Sequence, residues 1–272
     1  MKHAFLIIAH DNWDIVQMLV AGLDNEGNDI FLHIDRKAKA PSVICTKKSG
    51  LYVIKNPVDV RWGSVSQIKS EYKLFEEALR HNEYEYYHLI SGAHLPLMDF
   101  SAIREWFEIR KGNTVFKNLG RETSEYQETL KMRRLNLFIG GYQSKNAVLS
   151  RFCQFLWKSS IAIQRLLEIT VNTGNCFYKA SNWASFTQEA VEYLVTNKKR
   201  ILKKYRYSFC GDEFFAPTEL MESPLKDKIL SDDKLLYCNI VKANAEALSV
   251  EKDYPRLLGN GYVFARKFVS EQ

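Results

Sequence analysis

Residues 5–12 read Phe5-Leu6-Ile7-Ile8-Ala9-His10-Asp11-Asn12. An unbroken apolar run stops abruptly at three polar residues. A run this short, with no polar alternation, is the pattern of a strand buried on both faces, as in a parallel sheet. His10 and Asp11 then stand at its carboxyl end. Immediately after it, Ile15, Val16, Met18, Leu19 and Leu23 fall at helical spacing.

The same design repeats outward from this segment. Residues 29–35 form a second strand, with His33 and Asp35 at its far end. Residues 51–54 give a third, shorter one. Ile68, Tyr72, Phe75 and Leu79 share one face of a helix predicted over residues 64–79, and residues 86–90 form another strand, ended by Ser91 and Gly92. Strand and helix in alternation predict an α/β fold with a mostly parallel central sheet, flanking helices and right-handed crossovers. Ligands of such sheets bind beyond the carboxyl ends of the strands. His10, Asp11, His33, Asp35 and the Ser91 loop therefore become candidates together.

Residues 120–172 differ in character. Lys131, Arg133, Arg134 and Lys145 make them basic, and Phe152, Phe155, Leu156, Ile163, Leu166 and Leu167 follow with helix-like spacing. Such a stripe normally faces a core. The other reading is a basic amphipathic element resting on an anionic membrane, over residues 131–170. A helix over about residues 187–203 follows. No internal repeat and no Pro-, Gly- or Ser-rich linker divides the chain, so residues 1–272 are expected to form a single domain.

Composition narrows the class. Hydrophobic residues at 46% and charged residues at 26% exclude disordered, collagenous and low-complexity chains. Lys plus Arg exceed Asp plus Glu by 38 − 32 = 6, which suits an anionic ligand or membrane surface without requiring a nucleic acid. Five scattered cysteines with no C-x-x-C pair fit free thiols in a reducing compartment and argue against zinc. The apolar stretch at the N-terminus is shorter than the ~7–15 residues of a signal peptide's hydrophobic region. No stretch approaches the ~20 residues of a spanning helix. The expected location is the cytoplasm or the inner face of a membrane.

Several chemistries are unsupported. The chain has no G-x-x-x-x-G-K-[ST] loop, no G-x-G-x-x-G after its first strand, no G-x-S-x-G elbow and no Asp-x-Asp pair. His33 and Asp35 are one residue apart, but two ligands do not make a metal site, and hydrogen bonding is their expected role. Asp212 and Glu213 sit among aromatics. Desolvation there can raise a carboxyl pKa and suit it to act as a base; alternatively Glu213 simply starts a helix. Arg266 and Lys267 interrupt an apolar run, either to meet an anion or as part of a solvated terminal segment.

Taken in order, seven segments resemble the core-2/I-branching β-1,6-N-acetylglucosaminyltransferase and xylosyltransferase family. They are Ile8-Ala9-His10, His33-Ile34-Asp35-Arg36-Lys37, Arg61-Trp62-Gly63-Ser64, Leu89-Ile90-Ser91-Gly92-Ala93-His94-Leu95-Pro96-Leu97, Ser181-Asn182-Trp183, Asp212-Glu213-Phe214-Phe215-Ala216-Pro217-Thr218 and Phe264-Ala265-Arg266-Lys267-Phe268. Each is weak alone, but together they keep the family's order along nearly the whole chain. The length matches a catalytic domain without anchor or stem, as in a bacterial member.

The resemblance implies a GT-A type nucleotide-sugar fold and inverting transfer from a UDP-sugar without a metal. It makes Glu213 the base and Arg266 and Lys267 the holders of the donor diphosphate. It assigns His10, His33 and Asp35 to the nucleoside. Trp62, Ser91, Gly92, His94, Asn182, Trp183 and Asp212 fall to the donor-sugar or acceptor side. Fixed cations must stabilise the charge on departing UDP if no metal does, so the missing Asp-x-Asp and the terminal Arg-Lys explain each other. The sequence departs from the family in three places. His94 stands where an Asp is usual, and Asn182 occupies a variable position before Trp183. Leu236 replaces a frequent Arg, whose contact Lys234 or Lys242 would have to supply. Pro217 is tolerated only in a first helical turn, so a helix is expected to start near Ala216, just after Glu213. The resulting expectation is transfer of N-acetylglucosamine, with xylose second, to a surface glycan that can be lipid-linked. The reading from another class, motivated by Leu236 and His94, is a non-catalytic glycan- or membrane-binding protein on the same fold.

Overall fold

The computed structural model describes residues 2–39, 43–121, 124–241 and 244–270. The opening apolar run forms β1 (Lys2–Ala9), followed by α1 (Trp13–Leu23), β2 (Asn28–Ile34) and β3 (Gly50–Val53). Then come α2 (Ser66–His81), β4 (Tyr84–Ser91), the short β5 (Leu95–Pro96), α3 (Phe100–Glu108) and β6 (Thr114–Phe116). The middle of the chain holds α4 (Glu125–Met132), α5 (Ala147–Leu166), β7 (Ser185–Phe186), α6 (Gln188–Thr196) and α7 (Lys198–Lys204). The last part contains α8 (Phe215–Met221), β8 (Ile229–Ser231), β9 (Leu236–Cys238) and β10 (Phe264–Arg266).

Seven strands make one sheet in the order β8-β6-β7-β4-β1-β2-β3. β3, β2, β1 and β4 are mutually parallel, and β8 runs parallel to β6. Only β7 runs against its neighbours, pairing with both β4 and β6. This is the mostly parallel α/β sheet that the apolar runs predict. β1 shows why its sequence lacks alternation. Ala4 and Leu6 enter a core with α2, α6 and α8 on one face. Phe5, Ile7 and Ala9 enter a second core with α1 and α3 on the other. Both faces are covered, so both must be apolar.

A second sheet, in the order β9-β10-β5, carries the terminal segment back across the end of β4. Phe264 pairs with Pro96 and Ala265 with Leu95, and the Phe268 N–H donates to the Ala93 carbonyl at 2.9 Å. Arg266 is thereby brought to the Ser91–His94 turn despite its distance in sequence.

Two helical expectations are corrected. Residues 187–203 form two helices, not one, because the chain turns at Asn197, whose side chain donates to the Tyr193 carbonyl at 2.9 Å. The stripe on α5 does not face a core: of the helix only Ile161 and Gln164 are fully buried, while Phe152, Phe155, Ile163 and Leu166 lie exposed. Among the described residues no helix is long and apolar enough to cross a membrane.

Candidate active site

Glu213 ends a short 3-10 turn, Gly211–Glu213, and α8 begins two residues later with Pro217 inside its first turn. The helix start expected from Pro217 is therefore present, and Glu213 lies just outside it. Its side chain is about 35% exposed and its Oε2 pairs with Lys131 Nζ at 3.4 Å and Lys179 Nζ at 3.6 Å. Thr218 of α8 clamps Tyr178 through both its N–H and its carbonyl, at 3.0 and 3.1 Å. The Ala180 N–H donates to the Glu213 carbonyl at 3.1 Å. These bonds fix Lys179 beside the carboxylate.

Asp212 points inward and is buried. Its Oδ2 accepts from Gln67 Nε2 at 2.8 Å and from Asn182 Nδ2 at 3.4 Å, while Oδ1 has no partner. Burial, reinforced by the neighbouring Glu213 charge, pushes its carboxyl up to about 7. The pair thus divides into a dry Asp212 near its titration point and an accessible Glu213 in ion pairs. Trp62 is partly exposed beside them and meets the Phe209 ring edge-on at 5.3 Å. Gly63, at φ +74°, packs where a Cβ would lie 2.7 Å from Phe209, and its carbonyl accepts from the Cys210 N–H at 2.9 Å.

The strip from Lys179 to Trp183 spans to the other group of candidates. Arg266 lies over the Trp183 ring at 5.2 Å, and the His94 ring meets Trp183 edge-on, also at 5.2 Å. The Ser91 N–H donates to His94 Nδ1 at 3.1 Å and the Ser91 hydroxyl lies 2.8 Å from the same nitrogen. His94 therefore carries its proton on Nε2. Burial, with Arg266 nearby, holds its pKa well below the ordinary histidine value. Three N–H donors here are buried without partners: His94 Nε2, Trp183 Nε1 and Arg266 Nε. Such orphans are rare and call for an acceptor. Lys267 is exposed one residue further on. Gly92 closes this turn against β1, where a Cβ would lie 2.7 Å from Val16 Cγ2 and 3.0 Å from Ala9 Cβ.

The nucleoside candidates are placed differently. His33 is fully buried, its Nε2 accepts from the Val58 N–H at 2.9 Å, and burial lowers its pKa to about 4. Asp35 accepts from the Lys37 N–H at 2.8 Å and from Lys37 Nζ at 3.0 Å. Both act as hydrogen-bonding residues, as their spacing predicts, but they brace the loop after β3. His10 is exposed and meets Asp11 at 3.3 Å. The structure brings Trp62, Asn182, Asp212 and Glu213 together, and Ser91, Gly92, His94, Trp183 and Arg266 together; His10, His33 and Asp35 stand at the neighbouring ends of β1 and β2, where the Asp35 N–H donates to the Ala9 carbonyl at 2.9 Å and the Gly92 N–H to the Ile8 carbonyl at 2.8 Å.

Three residues that sequence reasoning does not name belong here, Gln67, Lys179 and Lys117, with Lys131, which the sequence marks only as part of a basic segment. Lys117 donates to the carbonyl of Leu236, in the strand that pairs Cys238 with Arg266. Each is an ordinary polar residue whose importance arises only from long-range contact, so no local signal marks its role. Lys234 is occupied elsewhere, on the Asn260 carbonyl at 3.0 Å and the Tyr262 ring, and Lys242 lies outside the described residues. Among the described residues no group of three or more His, Cys, Asp or Glu side chains is gathered to hold a metal ion.

Comparison with known proteins adds the family. No curated protein sequence matches the chain significantly. Solved structures that resemble it distantly include the following two. Core-mannan synthase A from Aspergillus fumigatus, in a Mn/GDP form, is 12% identical, with 84% of this chain and 72% of that one covered and a TM-score of 0.42. Mouse xyloside xylosyltransferase 1, in apo form, is 9% identical, with 97% and 96% covered and a TM-score of 0.42. The sequence pattern of the core-2/I-branching enzyme family matches residues 3–252. A match over most of the chain, joined to the sheet and the motif positions above, means that this protein belongs to the core-2/I-branching enzyme family of nucleotide-sugar-dependent glycosyltransferases.

Proposed function

We propose that the protein transfers N-acetylglucosamine from a UDP-sugar to a hydroxyl of a glycan acceptor, with inversion and without a metal, in surface polysaccharide synthesis. The observation that carries this reading is the pairing of an accessible carboxylate, Glu213, with a separate cluster of unpartnered N–H donors around Arg266, the two joined by the Lys179–Trp183 strip. Glu213 takes the acceptor's hydroxyl proton. The oxygen attacks the anomeric carbon, the bond from that carbon to the diphosphate breaks, and its electron pair leaves on UDP. Arg266 and Lys267 hold the diphosphate, aided by the His94 and Trp183 donors. Lys117, which donates to the Leu236 carbonyl, supplies the cation that Leu236 lacks. Lys131 and Lys179 orient the Glu213 carboxylate.

Glu213→Gln keeps the shape of the side chain and removes the base. Turnover of a UDP-sugar should fall on the order of 10²–10⁴-fold with UDP binding retained. Near-normal turnover would take Glu213 out of the mechanism. Transfer should also persist in excess EDTA, since fixed cations rather than paired carboxylates meet the diphosphate. Loss of activity in chelator, restored by Mn²⁺ or Mg²⁺, would refute the metal-free part alone.

A further inference from the structure

α5 presents three faces. Trp157, Ile161 and Gln164 turn inward: Trp157 packs on Tyr142 and Phe209 at 5.4 and 5.7 Å between ring centres, and Gln164 bonds the Leu135 backbone through both amide atoms. The opposite side is an apolar stripe. Val148, Phe152, Phe155, Ile163 and Leu166 are 78, 56, 66, 55 and 82% exposed. At 100° per residue these five fall within one third of the helix circumference. Arg151, Lys158 and Arg165, seven residues apart and all exposed, form a row along one edge of that stripe. The helix contains no Asp or Glu, and between Glu128 and Glu168 the chain has seven Lys or Arg and no acid at all.

We infer that this face docks on an anionic lipid bilayer, with the apolar stripe in the headgroup–acyl boundary and the Arg151–Lys158–Arg165 row on the headgroups. Exposed apolar side chains of this size, rimmed by a single sign of charge, are the pattern of an interfacial helix. Charge complementarity selects the occupant. Two copies of this chain meeting face to face would oppose like charges across an isologous contact, whereas an anionic surface attracts every cation in the row. The inward face of the same helix reaches Phe209, adjacent to the Cys210 turn that leads to Glu213, so docking leaves the reaction site beside the membrane. The inference concerns binding to lipid and does not depend on the donor or on the role of Glu213.

The test is co-sedimentation of the whole chain with vesicles of phosphatidylcholine alone or mixed equally with phosphatidylglycerol. The protein should pellet with the anionic vesicles, much less with the neutral ones, and less as salt is raised. Phe152→Ser with Phe155→Ser should weaken that binding on the order of 10-fold or more. Arg151→Glu with Lys158→Glu and Arg165→Glu should weaken it by ~100-fold or more, at about fivefold per lost cation. All five positions are exposed, so melting temperature and UDP affinity should be unchanged, which separates lost docking from lost folding. Failure of the wild type to bind anionic vesicles, or unchanged binding by both variants, overturns the proposal. So does a wild-type dimer in sedimentation velocity that the Phe152/Phe155 variant abolishes without any vesicle binding, because the occupant is then a second copy.

Discussion

Arg266 and Lys267 are neighbours in sequence but differ in setting. Arg266 is stacked over Trp183, with its Nε buried and unpartnered; Lys267 stands in solvent. Charge-assisted hydrogen bonds to a diphosphate strengthen as water is excluded, so the two cations should not contribute equally. Arg266→Ala should weaken UDP binding on the order of 10–100-fold, at ~1.4 kcal/mol per tenfold, and Lys267→Ala should cost less. Uridine, which has no phosphates, should bind both variants as it binds the wild type. Calorimetry decides: unchanged UDP affinity in the double variant would move the diphosphate site elsewhere. The setting of Arg266 also shows what sequence can reveal at this scale. An adjacent Arg-Lys in an apolar run is visible as a motif. Its contact with Trp183 and His94 is not, because it depends on the terminal segment crossing β4.

At the level of elements, the turn after β4 is set by a single small residue. Gly92 donates its N–H to the Ile8 carbonyl at 2.8 Å and leaves no room for a Cβ against Val16 and Ala9. Its φ is not in the left-handed region, so the requirement is one of space. Gly92→Val should overpack the junction of β1, α1 and β4, costing ~1–3 kcal/mol of stability, and should displace the Ser91–His94 hydrogen bonds. A lowered urea midpoint together with weakened UDP binding is the expected result; unchanged values for both would mean that α1 yields to the added methyls. The long elements were legible because runs such as Phe5–Ala9 and the Ile68, Tyr72, Phe75 face carry their period within themselves. β7 was not legible: two residues hold no period, and Ser185–Phe186 becomes a strand only because β4 and β6 lie on either side. The break at Asn197 was hidden by helix formers on both sides, Glu-Ala-Val-Glu-Tyr-Leu before it and a Lys-rich run after it. The spacing of α5 grouped its apolar residues correctly on one face, but spacing says nothing about what that face meets.

For the whole molecule, histidine burial sets the response to acid. Four of the six histidines, His3, His33, His88 and His94, are buried. His3 and His88 share a hydrogen bond of 2.9 Å across β1 and β4. Burial lowers the pKa of His3 and of His33 from 6.5 to about 4, and holds His88 and His94 well below the ordinary value. Between those limits the unfolded chain binds protons that the folded chain refuses, so stability must fall as pH drops from 6.5 towards 4. His3 and His33 contribute ~3 kcal/mol each. Asp212 acts in the opposite sense: its pKa is raised from 3.8 to about 7, so the folded state holds the extra proton and stability is lost as pH rises through that window. Glu71, buried near Asp212, has its carboxyl raised well above the ordinary value by burial and acts in the same sense as Asp212; four histidines outweigh two carboxyls, and urea midpoints should decline from pH 6.5 to 4. A flat profile would mean that the histidines are not neutral in the fold. The two-residue strand β7 has a consequence of another kind, for the order of assembly. Residues 2–91 contain β1 to β4 and can close that half of the sheet as soon as they are made. β6 cannot join it until residue 185 arrives, and Arg266 comes later still. The reaction site therefore waits for the end of the chain, and a chain interrupted before residue 185 would lack the strand that joins β6 to β4, as well as Glu213 and Arg266.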